Sequence, residues 1–199
     1  MSDFMQAEGA DVAPSASVGA GAKIWHLAQV REDAVIGSGT IVGRGAYVGS
    51  GVKVGANCKL QNYALVYEPA VLGDGVFIGP AVVLTNDTFP RAVTPEGGLK
   101  SAHDWEPVGV TIGDGASVGA RAVCVAPLRI GRWAMIAAGA VVTKDVPDFA
   151  LMVGVPARRV GWVGRAGVPL EADADGWRCP STGARYFENT DGLLVEDDA

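Results

Sequence analysis

A six-residue period dominates this chain. Counting in steps of six from Val12 to Leu84, every position carries Val, Ile or Leu. The period stops there and resumes from Ile112 to Val142, where Cys124 is the one exception. A second column, four positions after the first, carries mostly Ala and other residues of modest size. A repeat this short excludes a helical hairpin as the repeating unit and indicates short strands joined by tight turns.

The repeat predicts an all-β fold, a parallel β-solenoid. Three hexads make one triangular coil, in which the aliphatic side chain faces the axis and the small one fills the corner. Successive coils stack as parallel strands about 4.8 Å apart, and the hexads suffice for about six coils. Gly often follows the aliphatic residue, where we expect a turn that needs a small residue or a positive φ.

The interruptions of the period divide the chain into expected segments. These are a flexible N-terminus at 1–11, the solenoid at 12–145 with an insertion loop at 85–109, a packing segment at 146–165 and an acidic tail at 166–199. An insertion of this length is unusual unless it is functional.

The two segments after the solenoid are expected to lie outside it. Pro147 and Pro156 should direct the packing segment onto the outer surface, with Trp162 against a neighbouring chain. Aromatic residues in the tail suit a small hairpin about Ser181–Gly183, and the end from Asp191 is expected to be mobile.

Charge and cysteine content exclude several classes of protein. Sixteen Lys and Arg against 22 Asp and Glu give a net charge of −6, so a broad basic surface for nucleic acid is not expected. No apolar run approaches the roughly 18 residues of a membrane helix, and no secretory signal is visible. Three widely spaced cysteines, Cys58, Cys124 and Cys179, argue against a disulfide framework. We therefore expect a cytoplasmic protein without membrane insertion.

Three stretches resemble the left-handed β-helix, or hexapeptide-repeat, acyltransferase family, and the resemblance covers residues 12 to about 165. They are Lys59–Asn62 running to Tyr67, then Leu84–Arg91, then Gly139–Pro147 continuing to Val153–Arg158. Together they are similar to bacterial nucleotide-sugar N-acetyltransferases of surface polysaccharide biosynthesis. The resemblance points to enzymes that acetylate the 3-amino group of a UDP-linked 2-acetamido-3-amino uronic acid. Enzymes for dTDP-linked 3-amino or 4-amino deoxyhexoses remain an alternative.

The family resemblance implies a homotrimer with left-handed coils and acetyl-CoA in the cleft between two prisms. It also implies that Asn86 is catalytic, its side-chain oxygen accepting a hydrogen bond from the sugar amine and aiming the lone pair. From the residues alone, Asn86 also suits a turn closed with Asp87. His103 is the candidate general base because it lies on the insertion, although enzymes of this subgroup can use the departing thiolate instead. His26 is interpreted as structural or adjacent to the substrate.

Polar residues before and on the insertion are expected to bind the acceptor, with the first three on one edge of the prism: Gln61, Asn62, Tyr67, Thr85 and Arg91. The Arg91 guanidinium suits a sugar carboxylate or a diphosphate. The resemblance implies that coenzyme A lies against small residues of the later coils and meets basic residues at its 3′-phosphate: Ala120, Ala126, Ala138, Lys144, Arg158 and Arg159.

Two other functions of such a prism fit less well. Carbonic anhydrases of the γ type need three His ligands per zinc, whereas the chain has two His. Cys179 also lacks a second Cys for a zinc knuckle, so no metal is expected. A non-catalytic β-solenoid binding protein would show a flat face of repeated Thr and no insertion, neither of which describes this chain.

Overall fold

The computed structural model describes residues 3–197, which form strands and turns and no helix that could cross a membrane. The strands of the prism and its cap are β1 (Met5–Gln6), β2 (Asp11–Val12), β3 (Ser17–Val18), β4 (Lys23–Ile24), β5 (Gln29–Val30), β6 (Val35–Ile36), β7 (Ile41–Val42), β8 (Tyr47–Val48), β9 (Lys53–Val54), β10 (Lys59–Leu60), β11 (Leu65–Val66), β12 (Val71–Leu72), β13 (Phe77–Ile78), β14 (Val83–Leu84), β15 (Val110–Ile112), β16 (Ser117–Val118), β17 (Val123–Cys124), β18 (Leu128–Ile130), β19 (Met135–Ile136), β20 (Val141–Val142), β21 (Ala150–Val153) and β22 (Arg158–Trp162). A separate C-terminal sheet contains β23 (Glu171–Asp173), β24 (Gly176–Arg178), β25 (Arg185–Glu188) and β26 (Leu194–Glu196).

Three parallel sheets run along the prism because each strand from β1 to β17 pairs with the third strand after it. Sheet 1 begins with β1 and β4, sheet 2 with β2 and β5, and sheet 3 with β3 and β6. The predicted parallel solenoid is confirmed, and its pairing is consistent with a left-handed β-helix. The prism has about eight turns rather than six, since sheet 1 alone holds eight parallel strands. The first turn was missed because Gln6 stands at an aliphatic position.

The period exists because one residue in six points into a narrow core. Ile24, Leu60 and Ile78 have no exposed surface, and the small residues Ala22 and Ala64 beside them are equally buried. Burying one such aliphatic side chain contributes about 1.5–3 kcal/mol. Repetition along the axis therefore gives a continuous core without any helix.

Glycine after the aliphatic residue is explained by space. A Cβ on Gly37 would lie 2.4 Å from the backbone nitrogen of Ala56 in the next coil, so the stacked turns leave no room for a side chain. Positive φ occurs two residues later, as at Gly39 (68°) and Asn57 (56°). The expected small residue is correct, but the position that needs φ > 0 is the third after the aliphatic one, as in a type II turn.

The prism has three corners, which position the candidate site. Corner I joins sheet 1 to sheet 2, corner II joins sheet 2 to sheet 3, and corner III joins sheet 3 to sheet 1. The insertion leaves corner II after Leu84 and returns at Val110. Its base is closed by the Val108 N–H, which donates to the backbone oxygen of Asn86 at 3.0 Å.

Residues 146–165 continue the prism, which corrects the expectation that they pack on its outside. β21 pairs in parallel with β19, and β22 folds back antiparallel onto β21. Trp162 is 2% exposed and is buried within its own chain, not against a neighbour. The prolines of this segment lie in the turns between these strands, where a missing N–H costs no ladder hydrogen bond.

Both ends of the chain form strands where the sequence predicted flexible segments. In the segment 1–11, Met5 pairs with Lys23 of the next coil. In the segment 166–199, the expected hairpin joins β24 to β25, but β26 extends the sheet beyond Asp191. Leu194 and Tyr186 explain this, because both are buried in a core that is continuous with that of the prism. Residues 1–2 and 198–199 of these two segments lie outside the described residues.

Candidate functional site

Corner II places Asn86 one coil beyond Glu68. Val66 pairs with Leu84, and each of the two polar residues follows two positions later. The backbone oxygen of Asn86 accepts the Val108 N–H, which holds Asn86 at the mouth of the insertion, and its side chain is half-buried. This backbone bond sets the position of Asn86 and leaves its side-chain amide to interact with a ligand.

A hydrogen bond joins Thr85 and Ala126 on corner II. The Thr85 N–H donates to the backbone oxygen of Cys124, and Thr85 Oγ1 accepts the Ala126 N–H, both at 3.0 Å. The Thr85 hydroxyl hydrogen can therefore still reach a ligand. The Ala126 amide is occupied, and the residue is 3% exposed, so its N–H does not serve coenzyme A.

Tyr67 packs against Tyr47 of the preceding coil, with ring centroids 5.2 Å apart. Next to it, Oε2 of Glu68 is buried and has no hydrogen-bond partner among the described residues. Burial, and after it the charge of Glu68, raises the pKa of Tyr47. Sequence reasoning missed Glu68, whose one signal was an acid directly after Tyr67.

The insertion keeps Arg91 and His103 in separate environments. Arg91 donates to the backbone oxygen of the residue before it at 3.2 Å and lines a cleft of about 430 Å³. His103 is exposed, and its N–H donates to Ser101 Oγ at 3.3 Å. Asp104 accepts the N–H and the hydroxyl of Ser101, and these bonds hold the pKa of Asp104 below its ordinary value. Neither Asn86 nor His103 lines this cleft.

Gln61 and Asn62 lie on corner I, which corrects the expectation that they share an edge with Tyr67. Residues six apart fall on consecutive corners, because each hexad turns the chain through one of them. Asn62 Oδ1 accepts the Arg44 N–H at 3.0 Å. A cleft of about 300 Å³ opens here between Trp25, His26, Ile41, Gly43, Arg44, Leu60, Gln61 and Asn62.

Arg44 and Trp25 are functional candidates that sequence reasoning missed. Arg44 is exposed and forms no ion pair among residues 3–197. Lys23 and Lys59 flank Ile41 in sheet 1 and add positive charge beside the cleft. Trp25 is 41% exposed. An aromatic face next to cations suits a nucleotide, whose base stacks and whose phosphates attract positive charge.

Ala120 and Ala138 lie further along corner I. Their backbone N–H groups meet no acceptor within the described part of the chain. At four equivalent positions the N–H donates to an acidic or amide side chain of the next coil, as Ala56 does to Asp74 Oδ1 at 2.7 Å. The next-coil residues here are Ala138 and Gly154, which have no side-chain acceptor, so two donors one coil apart remain available to a ligand.

The basic residues expected to meet coenzyme A lie at the end of the prism. Arg158 and Arg159 are in β22, which closes sheet 1. Arg158 donates to the backbone oxygen of Ala157 at 2.9 Å, whereas Arg159 stacks on the ring of Trp162. Lys144 is exposed on corner II. The predicted cofactor residues are therefore divided between two corners.

Family models match both sides of the insertion. The bacterial transferase hexapeptide (six repeats) model matches residues 15–50 and 51–86, and the hexapeptide repeat of succinyl-transferase model matches residues 109–144. The two models together cover more than half of the chain. The chain belongs to the hexapeptide transferases.

Two curated proteins resemble this hexapeptide transferase in sequence. The dTDP-3-amino-3,6-dideoxy-alpha-D-galactopyranose 3-N-acetyltransferase of Aneurinibacillus thermoaerophilus is 57% identical over 49 residues, 25% of this chain and 26% of the relative. Serine acetyltransferase 4 of Arabidopsis thaliana is 34% identical over 99 residues, 50% of this chain and 25% of the relative. The matched region thus spans about a quarter of each relative.

A solved structure shares the fold of this hexapeptide transferase. The UDP-N-acetylglucosamine acyltransferase of Bacteroides fragilis has a TM-score of 0.54 and 18% identity, covering 79% of this chain and 74% of that protein. At this identity the likeness concerns the fold alone.

Metal ligands are not clustered in the described part of this hexapeptide transferase. No group of three or more His, Cys, Asp or Glu among residues 3–197 is arranged to hold an ion. All three cysteines are free, and Cys58 and Cys124 are buried in the repeat columns. That the protein works without a metal stays a prediction.

Proposed function

We propose that the chain is an N-acetyltransferase that moves an acetyl group from acetyl-CoA to the amino group of a nucleotide-linked amino sugar. The observation that carries this proposal is the half-buried Asn86 at the mouth of the insertion of a hexapeptide transferase. The relative named as a 3-N-acetyltransferase for a dTDP-linked amino sugar supports an amine at carbon 3. We propose a cytoplasmic location from the three free cysteines, and a role in surface polysaccharide synthesis from the sequence resemblance to nucleotide-sugar N-acetyltransferases.

The division of candidate residues between two corners supports a site shared by two copies of the chain. Corner I carries Gln61 and Asn62 and the free amides of Ala120 and Ala138. Corner II carries Asn86 with the insertion. Sheet 2 separates these corners on one prism, whereas a rotation between identical copies brings corner I of one against corner II of the next. A homotrimer is the assembly we propose.

The reaction forms a C–N bond and breaks a C–S bond. The side-chain oxygen of Asn86 accepts one N–H of the neutral amine and directs its lone pair at the thioester carbonyl. A free backbone N–H, such as that of Ala120, donates to the carbonyl oxygen as negative charge builds there. The sulfur leaves as a thiolate and takes the proton lost by the new amide nitrogen. His103 is the alternative acceptor of that proton.

The acceptor that fits best is a UDP-linked 2-acetamido-3-amino uronic acid. The cleft at corner I, with Trp25 and Arg44, would take the nucleoside diphosphate, beside Gln61 and Asn62. Arg91 on the insertion would pair with the sugar carboxylate. A dTDP-linked 3-amino deoxyhexose is the second candidate, favoured by the name of the relative, and it has no carboxylate for Arg91.

Thiol release from acetyl-CoA tests this function directly. The purified chain is incubated with UDP- and dTDP-linked 3-amino and 4-amino sugars, and rapid release is expected with one 3-amino sugar. With the uronic acid as acceptor, Arg91→Gln should raise KM about tenfold, whereas the control Arg121→Gln should leave it unchanged. No release with any acceptor would contradict the proposal and favour a non-catalytic binding protein.

A further inference from the structure

Besides the Phe149–Tyr186 ring contact and the Arg165–Glu196 ion pair, one further carboxylate of the C-terminal sheet bonds to the end of the prism. Glu188 Oε1 accepts the indole N–H of Trp162 at 3.0 Å and that of Trp177 at 3.2 Å. Trp162 belongs to the cap strand β22 and Trp177 to the C-terminal strand β24. Glu188 therefore fixes the indole of Trp162 from outside the prism.

The ring of Trp162 in turn stacks against the guanidinium of Arg159. The guanidinium carbon of Arg159 lies 3.9 Å from the centre of the Trp162 ring. A guanidinium stacked by its face keeps its in-plane N–H groups available for an anion, and Arg159 forms no ion pair among residues 3–197. Its neighbour Arg158 instead donates to a backbone oxygen. Of the two arginines, Arg159 is the one preorganised for a phosphate.

The location of Arg159 suits the phosphate end of a ligand that lies along corner I. Arg159 pairs with Met152, and Met152 pairs with Ile136. Two strand spacings, about 10 Å, therefore separate Arg159 from Ile136. The free amide of Ala138 follows Ile136 by two residues. A pantetheine chain bound to that amide would extend toward Arg159.

We propose that Glu188 is a positioning residue, which through Trp162 orients Arg159, one of the basic residues that the family resemblance places against the 3′-phosphate of the acyl donor. This inference rests on the proposed function, which supplies acetyl-CoA as the donor. It assigns the otherwise acidic C-terminal sheet a role in cofactor binding. Glu188 does not touch the phosphate, and its effect passes through the indole N–H bond.

Calorimetric binding of coenzyme A and of 3′-dephospho-coenzyme A to the full chain tests the proposal. The wild-type protein should prefer coenzyme A at least about tenfold, and Arg159→Ala should abolish this preference. Glu188→Ala should reduce the preference about threefold to tenfold while leaving the dephospho ligand unaffected. Glu188→Gln keeps an acceptor oxygen and should restore most of it. Glu171→Ala, an exposed acid of the same sheet, is the matched control.

Two further variants separate positioning from loss of structure. The double variant Glu188→Ala with Arg159→Ala should show the same preference for coenzyme A over the dephospho ligand as Arg159→Ala alone, because both substitutions act on one contact. If Glu188→Ala does not fold, Trp162→Phe serves instead. It keeps a ring beneath Arg159 but removes the indole N–H, and it should reduce the preference for coenzyme A by the factor expected of Glu188→Ala. An unchanged preference in these variants, or equal weakening of both ligands, overturns the inference alone. A wild-type protein that binds neither ligand overturns the proposed function with it.

Discussion

The prism and the insertion place similar residues in opposite surroundings. Leu60 in the prism has no exposed surface, whereas Leu99 in the insertion is 84% exposed. A Cβ on Gly37 would meet backbone at 2.4 Å, but the nearest atom to one on Gly98 is Thr94 Oγ1 at 3.6 Å. The stacking of coils constrains the residue types of the prism, above all the buried aliphatic and small residues and the glycines of the turns. The insertion is released from that constraint, and the predicted catalytic residues Asn86 and His103 lie there.

Gly37→Ala should have the largest effect. The added methyl group would collide with the backbone of Gly55 and Ala56, which cannot move without separating two coils. We expect a loss of more than about 4 kcal/mol in the free energy of unfolding, or no folded protein. Gly98→Ala should stay within about 0.5 kcal/mol. Urea unfolding of both variants measures the difference, and similar stabilities would contradict the packing account of the prism.

Asn86→Ala should lower turnover about a hundredfold, because the amine loses the group that orients it. Its unfolding midpoint should not change, since the bond between Asn86 and Val108 uses the backbone. Steady-state kinetics and a thermal melt give the two readouts. Glu96→Ala, an exposed residue of the same insertion, serves as the control. Near-normal turnover would remove Asn86 from the mechanism.

The cysteines extend the comparison from the prism to the C-terminal sheet. Burial raises the pKa of Cys124 in the prism to about 12 from an ordinary value of 9.0. Hydrogen bonds with Ser181 and Thr182 lower the pKa of Cys179 to about 7. Folded Cys179 therefore ionises before the unfolded chain does, so its contribution to stability is gained between pH 7 and 9. Cys124 acts in the opposite sense, and its contribution is lost as the pH rises above 9.

Thiolate absorbance against pH checks this assignment. The wild-type protein should show a first step near pH 7 that is absent from Cys179→Ser and retained in Cys124→Ala. A first step near pH 9 in all three proteins would show that the hairpin does not stabilise the Cys179 thiolate.

His103→Ala should have the smallest effect. Its side chain is exposed, and the departing thiolate can take the proton. Turnover should therefore change less than about threefold, with an unaltered pH profile. A loss of a hundredfold or more would establish general-base catalysis.

The prism was predictable because every hexad contains the same short sequence pattern, a buried aliphatic residue followed by a tight turn. The first strand was missed where Gln6 replaces that residue. The C-terminal sheet was predicted only as one hairpin, because its strands are too short to show a clear alternation. The site was harder to predict because its contacts have no period. Arg44 meets Asn62 through one side-chain oxygen, and Glu188 reaches Trp162 across 26 residues. Such pairs depend on the folded geometry of corners and caps.

The antiparallel cap strand β22 also bears on the solubility of the chain. A stack of parallel strands ends in open edges, whose unpaired N–H and C=O groups can template the addition of another chain. β22 covers the last parallel strand of sheet 1, and the C-terminal sheet follows it. End-to-end growth into a fibril requires an open edge at both ends of each molecule. With β22 as its end strand, sheet 1 presents an antiparallel edge that does not continue the parallel stacking of the prism.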